Sequence, residues 1–121
     1  MNENKSILKE KSFFFAISIV QLYKFLTEEK KEYVLSKQAL RLVTSVGANI
    51  REAKNAESTN DFIHKLGIAQ KECDETIYWL ELLRETNYIA NDKFLILADE
   101  ANQILKMIRS TILTIKQKKI S

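Results

Sequence analysis

Proline is missing from this 121-residue chain, and it holds only two glycines, one cysteine and one histidine. Without proline, and with abundant Leu, Ile, Lys, Glu and Ala, the composition favours long uninterrupted helices over a sheet. The lone Cys73 excludes an internal disulfide and a thiol-based zinc cluster, and neither C-x-x-C nor H-E-x-x-H occurs. A di-iron carboxylate bundle needs Glu-x-x-His on two helices, and His64 stands alone. Gly47 and Gly67 are isolated, so no glycine-rich loop is present to cradle a phosphate. No metal and no cofactor is therefore expected. No apolar run approaches the ~20 residues that a membrane helix needs. The opening MNENKSILKEKSFFFAISIVQLY resembles a signal peptide only superficially: Glu3 and Glu10 interrupt its basic part, Ser18 and Gln21 its apolar part, and no small-residue cleavage site follows. No membrane partner is expected, and the expected location is the cytoplasm, whose reducing conditions suit a free thiol. The net charge of +3 is too small to argue for a partner by itself.

What is present is hydrophobic periodicity. With 45% hydrophobic residues, the chain can bury a core as one domain spanning residues 1–121. The fold class is all-α, an antiparallel up-down-up-down four-helix bundle, with helices expected over about 6–27, 35–57, 60–87 and 92–118. The first carries Leu8, Phe15, Ile19, Leu22 and Leu26 on one stripe. The run Glu28 to Glu32, EEKKE, reads as a solvated turn. The second helix has Ser36 as expected N-cap and Leu35, Ala39, Leu42, Val43, Val46, Ile50 and Ala53 on its apolar face. Gly47 in its interior costs about 1 kcal/mol relative to alanine and predicts a close helix approach. The third is capped by Ser58, Thr59 or Asn60 and buries Phe62, Leu66, Ala69, Cys73, Leu80 and Leu83. The fourth, capped by Asn91 or Asp92, turns Phe94, Leu97, Ala101, Ile104, Leu105, Ile108, Ile112 and Ile115 inward.

Two helices carry more apolar surface than one core needs. On the third, Ile68, Trp79 and Leu82 fall more than about 100° from the core stripe, with His64 and Glu75 beside them. Ile68, Glu75, Trp79 and Leu82 are the expected oligomer interface, and a charge at position 79 is expected to dissociate the assembly. On the first, Phe13, Phe14, Ile17, Val20 and Phe25 surround the rest of the cylinder, as if the helix were covered on most sides.

Catalysis has little to stand on. Cys73 and His64, the sole Cys–His combination, are nine residues apart on one helix, a rise of about 13 Å. Nucleic-acid binding has more: Lys37, Arg41, Arg51 and Lys54 lie on the second helix, Lys65 and Lys71 on the third, and Lys116, Lys118 and Lys119 close the fourth. Glu52, Glu57 and Glu72 interleave with the first two groups, and the last also offsets its helix dipole, so a solvated mixed-charge face explains the same residues. The polar side of the second helix gathers Gln38, Arg41, Ser45, Ala48, Asn49 and Glu52, where Asn49 and Glu52 suit interhelical hydrogen bonds, open solvent or a partner contact. Self-association would pool weak patches into a broad basic surface.

The segment QALRLVTSVGANIREA (Gln38 to Ala53), then AESTNDFIHKLGIAQKECDETIYWLELL through Leu83 and NYI at Asn87 to Ile89, resembles the bacterial four-helix-bundle family known from intervening sequences in large-subunit ribosomal RNA genes. The likeness runs from about Phe15 to the end of the fourth helix. Ala39 departs from the family's usual leucine, and Cys73-Asp74 occupy a variable position. What the resemblance implies is an up-down bundle, frequently a ring-like homopentamer, without established enzymatic activity and with a ribosomal label that stems from gene location. It is similar, too, to accessory proteins of diversity-generating retroelements, whose basic pentameric surface engages nucleic acid and a reverse transcriptase. The expected function is a non-enzymatic oligomeric bundle binding structured RNA or DNA through Lys37, Arg41, Arg51 and Lys54. The alternative is a protein-interaction scaffold with a protein partner and no nucleic-acid role.

Overall fold

The structure, a computed structural model, describes residues 3–120, with side chains described over 7–118. Helices α1 (Glu3–Glu28), α2 (Leu35–Lys54), α3 (Thr59–Glu85) and α4 (Asn91–Ile120) form the bundle, joined by short connections over 29–34, 55–58 and 86–90. Each helix packs on its two neighbours in a closed square, most extensively α2 on α3 and least α1 on α4. Small buried side chains are concentrated on α2 and α3 (Ala39, Val43, Ala53, Ala69, Cys73 and Thr76), whereas α1 and α4 also bury larger ones, among them Phe15, Leu22, Leu26, Phe94 and Leu97. The expected stripes are buried almost throughout; Leu35, Ile112 and Ile115 are half-buried at the ends. No helix among the described residues is long and apolar enough to cross a membrane.

The helix ends follow local chemistry, with one correction. Ser58 caps α3 by accepting the Asp61 N–H at 3.0 Å, while Asp61 reaches back to the Glu57 N–H at 3.4 Å. α3 ends at Glu85, two residues short of the expected end, and Asn87 just past its cap has a φ of 67°, the left-handed conformation asparagine tolerates. The Tyr88 N–H then bonds to Leu83 O at 2.8 Å and Asn87 N–H to Arg84 O at 3.0 Å, satisfying the last carbonyls. α2, however, is not capped by Ser36. Glu32 does this: its carboxylate accepts the backbone N–H groups of Val34 (2.7 Å), Leu35 (2.9 Å) and Ser36 (2.7 Å). The Ser36 hydroxyl instead donates to Glu32 O at 3.0 Å. The EEKKE run is thus a solvated turn only in part, since its last glutamate is buried as a structural anion.

Gly47 is the second correction. A Cβ built there, or on Gly67, would meet nothing within 4 Å, so neither glycine marks a close helix approach. Gly47 leaves open a groove between α1 and α2 that Phe13, Ala16 and Arg51 also line. Gly47→Ala and Gly67→Ala should each raise stability by about 1 kcal/mol, read as a shift of the urea midpoint, because alanine fits and the helix gains propensity.

Candidate functional site

The outer face shared by α2 and α3 is held by polar contacts between the helices. Ser45 Oγ donates to Glu72 Oε2 at 2.7 Å, and Asn49 Nδ2 donates to Glu72 Oε1 at 3.1 Å and to Ser45 O at 3.0 Å. One turn further along, Glu52 pairs with Lys65 at 3.3 Å. Asn49 and Glu52 therefore clamp α2 to α3, and Lys65 is neutralised within the chain. Alongside this clamp lie the four residues expected at an oligomer contact. Glu75 is exposed, and Ile68, Trp79 and Leu82 are half-buried. Trp79 also packs on the bundle's own core, with the Tyr78 ring edge-on at 5.3 Å. A charge at position 79 would thus disturb the fold as well as any assembly.

The basic residues of α2 are not brought into one patch. Arg51 and Lys54 turn to the α1 side, where they border a groove with Lys9, Phe13 and Phe14. Arg41 donates to Gln38 Oε1 at 3.0 Å, on the side carrying Ser45. Ten residues separate Arg41 from Arg51, a rise of about 15 Å. All four cations are exposed, and among the described residues none pairs with a carboxylate. Lys116 and Lys118 are exposed on α4, and the Lys119 side chain lies outside the described residues.

The interior holds no reactive arrangement among the described residues. No group of three or more His, Cys, Asp or Glu side chains is placed to hold a metal. Cys73 is fully buried, its Sγ 3.5 Å from Ala101 O, and burial pushes its thiol up to about 12, far from a nucleophilic thiolate. His64, by contrast, is exposed. A void of about 20 Å³ beside Leu8, Ile50, Phe62 and Thr111 has room for about one water rather than a substrate.

Sequence reasoning misses a half-buried acid in the thin α1–α4 seam. Glu100 Oε2 is buried without a hydrogen-bond partner. Burial holds its carboxyl above the usual range; Lys93, the Ser18 hydroxyl and Lys11 pull it partly back, and Asp99 pushes it further up. Such an acid is worst tolerated when ionised, so it weakens the fold above its unfolded pKa, and that loss is regained as pH falls through its raised folded pKa. Glu100→Gln should raise stability at pH 7 more than at pH 4, as read by thermal unfolding at both values. An equal gain at both pH values would show that the ionised acid is not the cause.

Four antiparallel helices without a strand among the described residues define an all-α four-helix bundle. The chain belongs to the 23S rRNA-intervening sequence protein family, whose family model matches residues 4–110. It is similar to the crystal structure of a protein of unknown function from the S23 ribosomal protein family of Bacteroides thetaiotaomicron VPI-5482. The two are 51% identical with a TM-score of 0.89, covering 90% of this chain and 97% of that one. No curated protein matches the sequence.

Proposed function

We propose that this protein is a non-enzymatic, self-associating bundle, of the pentameric kind, that binds structured RNA or DNA in the cytoplasm. The observation that carries the nucleic-acid reading is the state of Lys37, Arg41, Arg51 and Lys54, which are exposed and without carboxylate partners while Lys65 is spent on Glu52. Unpaired cations release counterions from phosphates, and a ring of copies multiplies them. The half-buried Ile68, Trp79 and Leu82 beside exposed Glu75 supply the self-association.

A filter-binding titration against a structured RNA and a DNA duplex tests this reading. Affinity should fall linearly on a log–log salt plot, and replacing all four cations by alanine should flatten the slope by about one for each phosphate no longer neutralised. Absence of binding at low salt, or a slope indifferent to the replacements, rejects it. The exposed rings Phe13, Phe14 and Phe25 favour a second reading, a scaffold for a protein partner. Material purified with that partner would show a second band on a gel and no raised absorbance at 260 nm.

A further inference from the structure

The corner where the start of α1 meets the end of α2 combines two exposed rings with three cations. Phe13 and Phe14 are 50% and 61% exposed, with centroids 6.3 Å apart and ring planes at 66°. The Arg51 guanidinium stands 5.4 Å from the Phe13 centroid. Lys9, Lys54 and the single acid Glu10 complete the border of this groove, so three cations face one carboxylate. Adjacent to it, the Gly47 groove is open, because no side chain fills the space a Cβ would enter.

A duplex offers phosphates but keeps its base faces stacked inside; only unpaired bases present faces to a ring. An undistorted duplex leaves exposed rings no base face to stack on, whereas cations spaced around two rings match a strand whose phosphates and bases both need partners. A protein docking there would have to be acidic to suit the three cations and at the same time apolar to cover the two rings. We infer that this corner binds a single-stranded segment of nucleic acid, such as a loop, bulge or end, with bases stacking on Phe13 and Phe14 and phosphates on Lys9, Arg51 and Lys54. The inference rests on the nucleic-acid reading above and specifies which part of a structured molecule is held.

Fluorescence anisotropy of the full chain with labelled dT12 and with a dA12·dT12 duplex separates the two. Phe13→Ala with Phe14→Ala should weaken dT12 at least about tenfold, leave the duplex within about twofold and leave the salt slope unchanged, since stacking contributes without releasing counterions. Phe13→Tyr with Phe14→Tyr should retain dT12 affinity and shows that the loss comes from the rings. Equal weakening of both probes, or no weakening of either, overturns the single-strand inference while leaving phosphate binding standing. Failure of the unaltered protein to bind either probe at low salt overturns both. A change of subunit mass in the alanine variant makes this corner a contact between copies and likewise overturns the inference.

Discussion

Glu32→Ala should lower stability by about 3 kcal/mol, measured as urea unfolding at a fixed protein concentration, although position 32 lies in a connecting segment. One carboxylate satisfies three backbone N–H groups at the start of α2, and the side chain is buried, so water cannot replace it fully. An ordinary N-cap serves one or two such groups and is worth about 1 kcal/mol; a charged acceptor roughly doubles each bond. Glu32→Gln should lose about half as much, because its single carbonyl oxygen keeps part of the network. The acid limb carries the same signature. Burial pushes the Glu32 carboxyl up, but the N–H donors of Ser36, Leu35 and Val34 outweigh it and hold the group below its ordinary 4.5. Its contribution is therefore complete above the unfolded pKa and disappears as pH falls through the lowered folded value. The gap between wild type and Glu32→Ala should narrow as pH falls below 4.5; a constant gap down to pH 2 would mean that packing, not the anion, is responsible.

The residues that are hardest to read in the sequence share a cause. Helix stripes repeat every 3.6 residues, so Leu8, Phe15, Ile19, Leu22 and Leu26 announce their face without knowledge of any neighbour. Glu32 sits in a run of five charges, where composition points to solvent, and only the start of α2 behind it makes an anion useful. The faint signal is positional: an acid ahead of an apolar helix start, at a spacing that lets it reach over the first free N–H groups. Gly47 is legible as a cost but not as an opening, because the groove depends on where α1 lies. The four cations of α2 look like a set for want of the same information. Their angular positions already separate Arg51 and Lys54 from Arg41, yet the consequence emerges only when Phe13 is found under Arg51. The angle of Trp79 points it away from the core stripe, yet the indole is half-buried and packs on the core as well.

That double placement of Trp79 is why Leu80 and Leu82 form the cleaner test of what α3 does. Leu80 is wholly buried, whereas Leu82, two residues on, is half-buried on the opposite side of the helix. Leu80→Ala should cost about 3 kcal/mol through the apolar burial it removes and the cavity it leaves behind, without altering the mass of the molecules that remain folded. Leu82→Asp should cost the isolated bundle only about 1 kcal/mol, because the carboxylate can turn to water. If copies associate through this face, the charge becomes buried in the contact, and the assembly should separate into single chains in multi-angle light scattering. The unfolding temperature would record the same event: rising with protein concentration for wild type and Leu80→Ala, flat for Leu82→Asp. A wild-type temperature already independent of concentration, together with a single-chain mass, would show that the outer face of α3 is not a contact between copies. The pooled basic surface would then be lost, and Arg51 and Lys54 would have to bind nucleic acid as one small patch at the Phe13 corner.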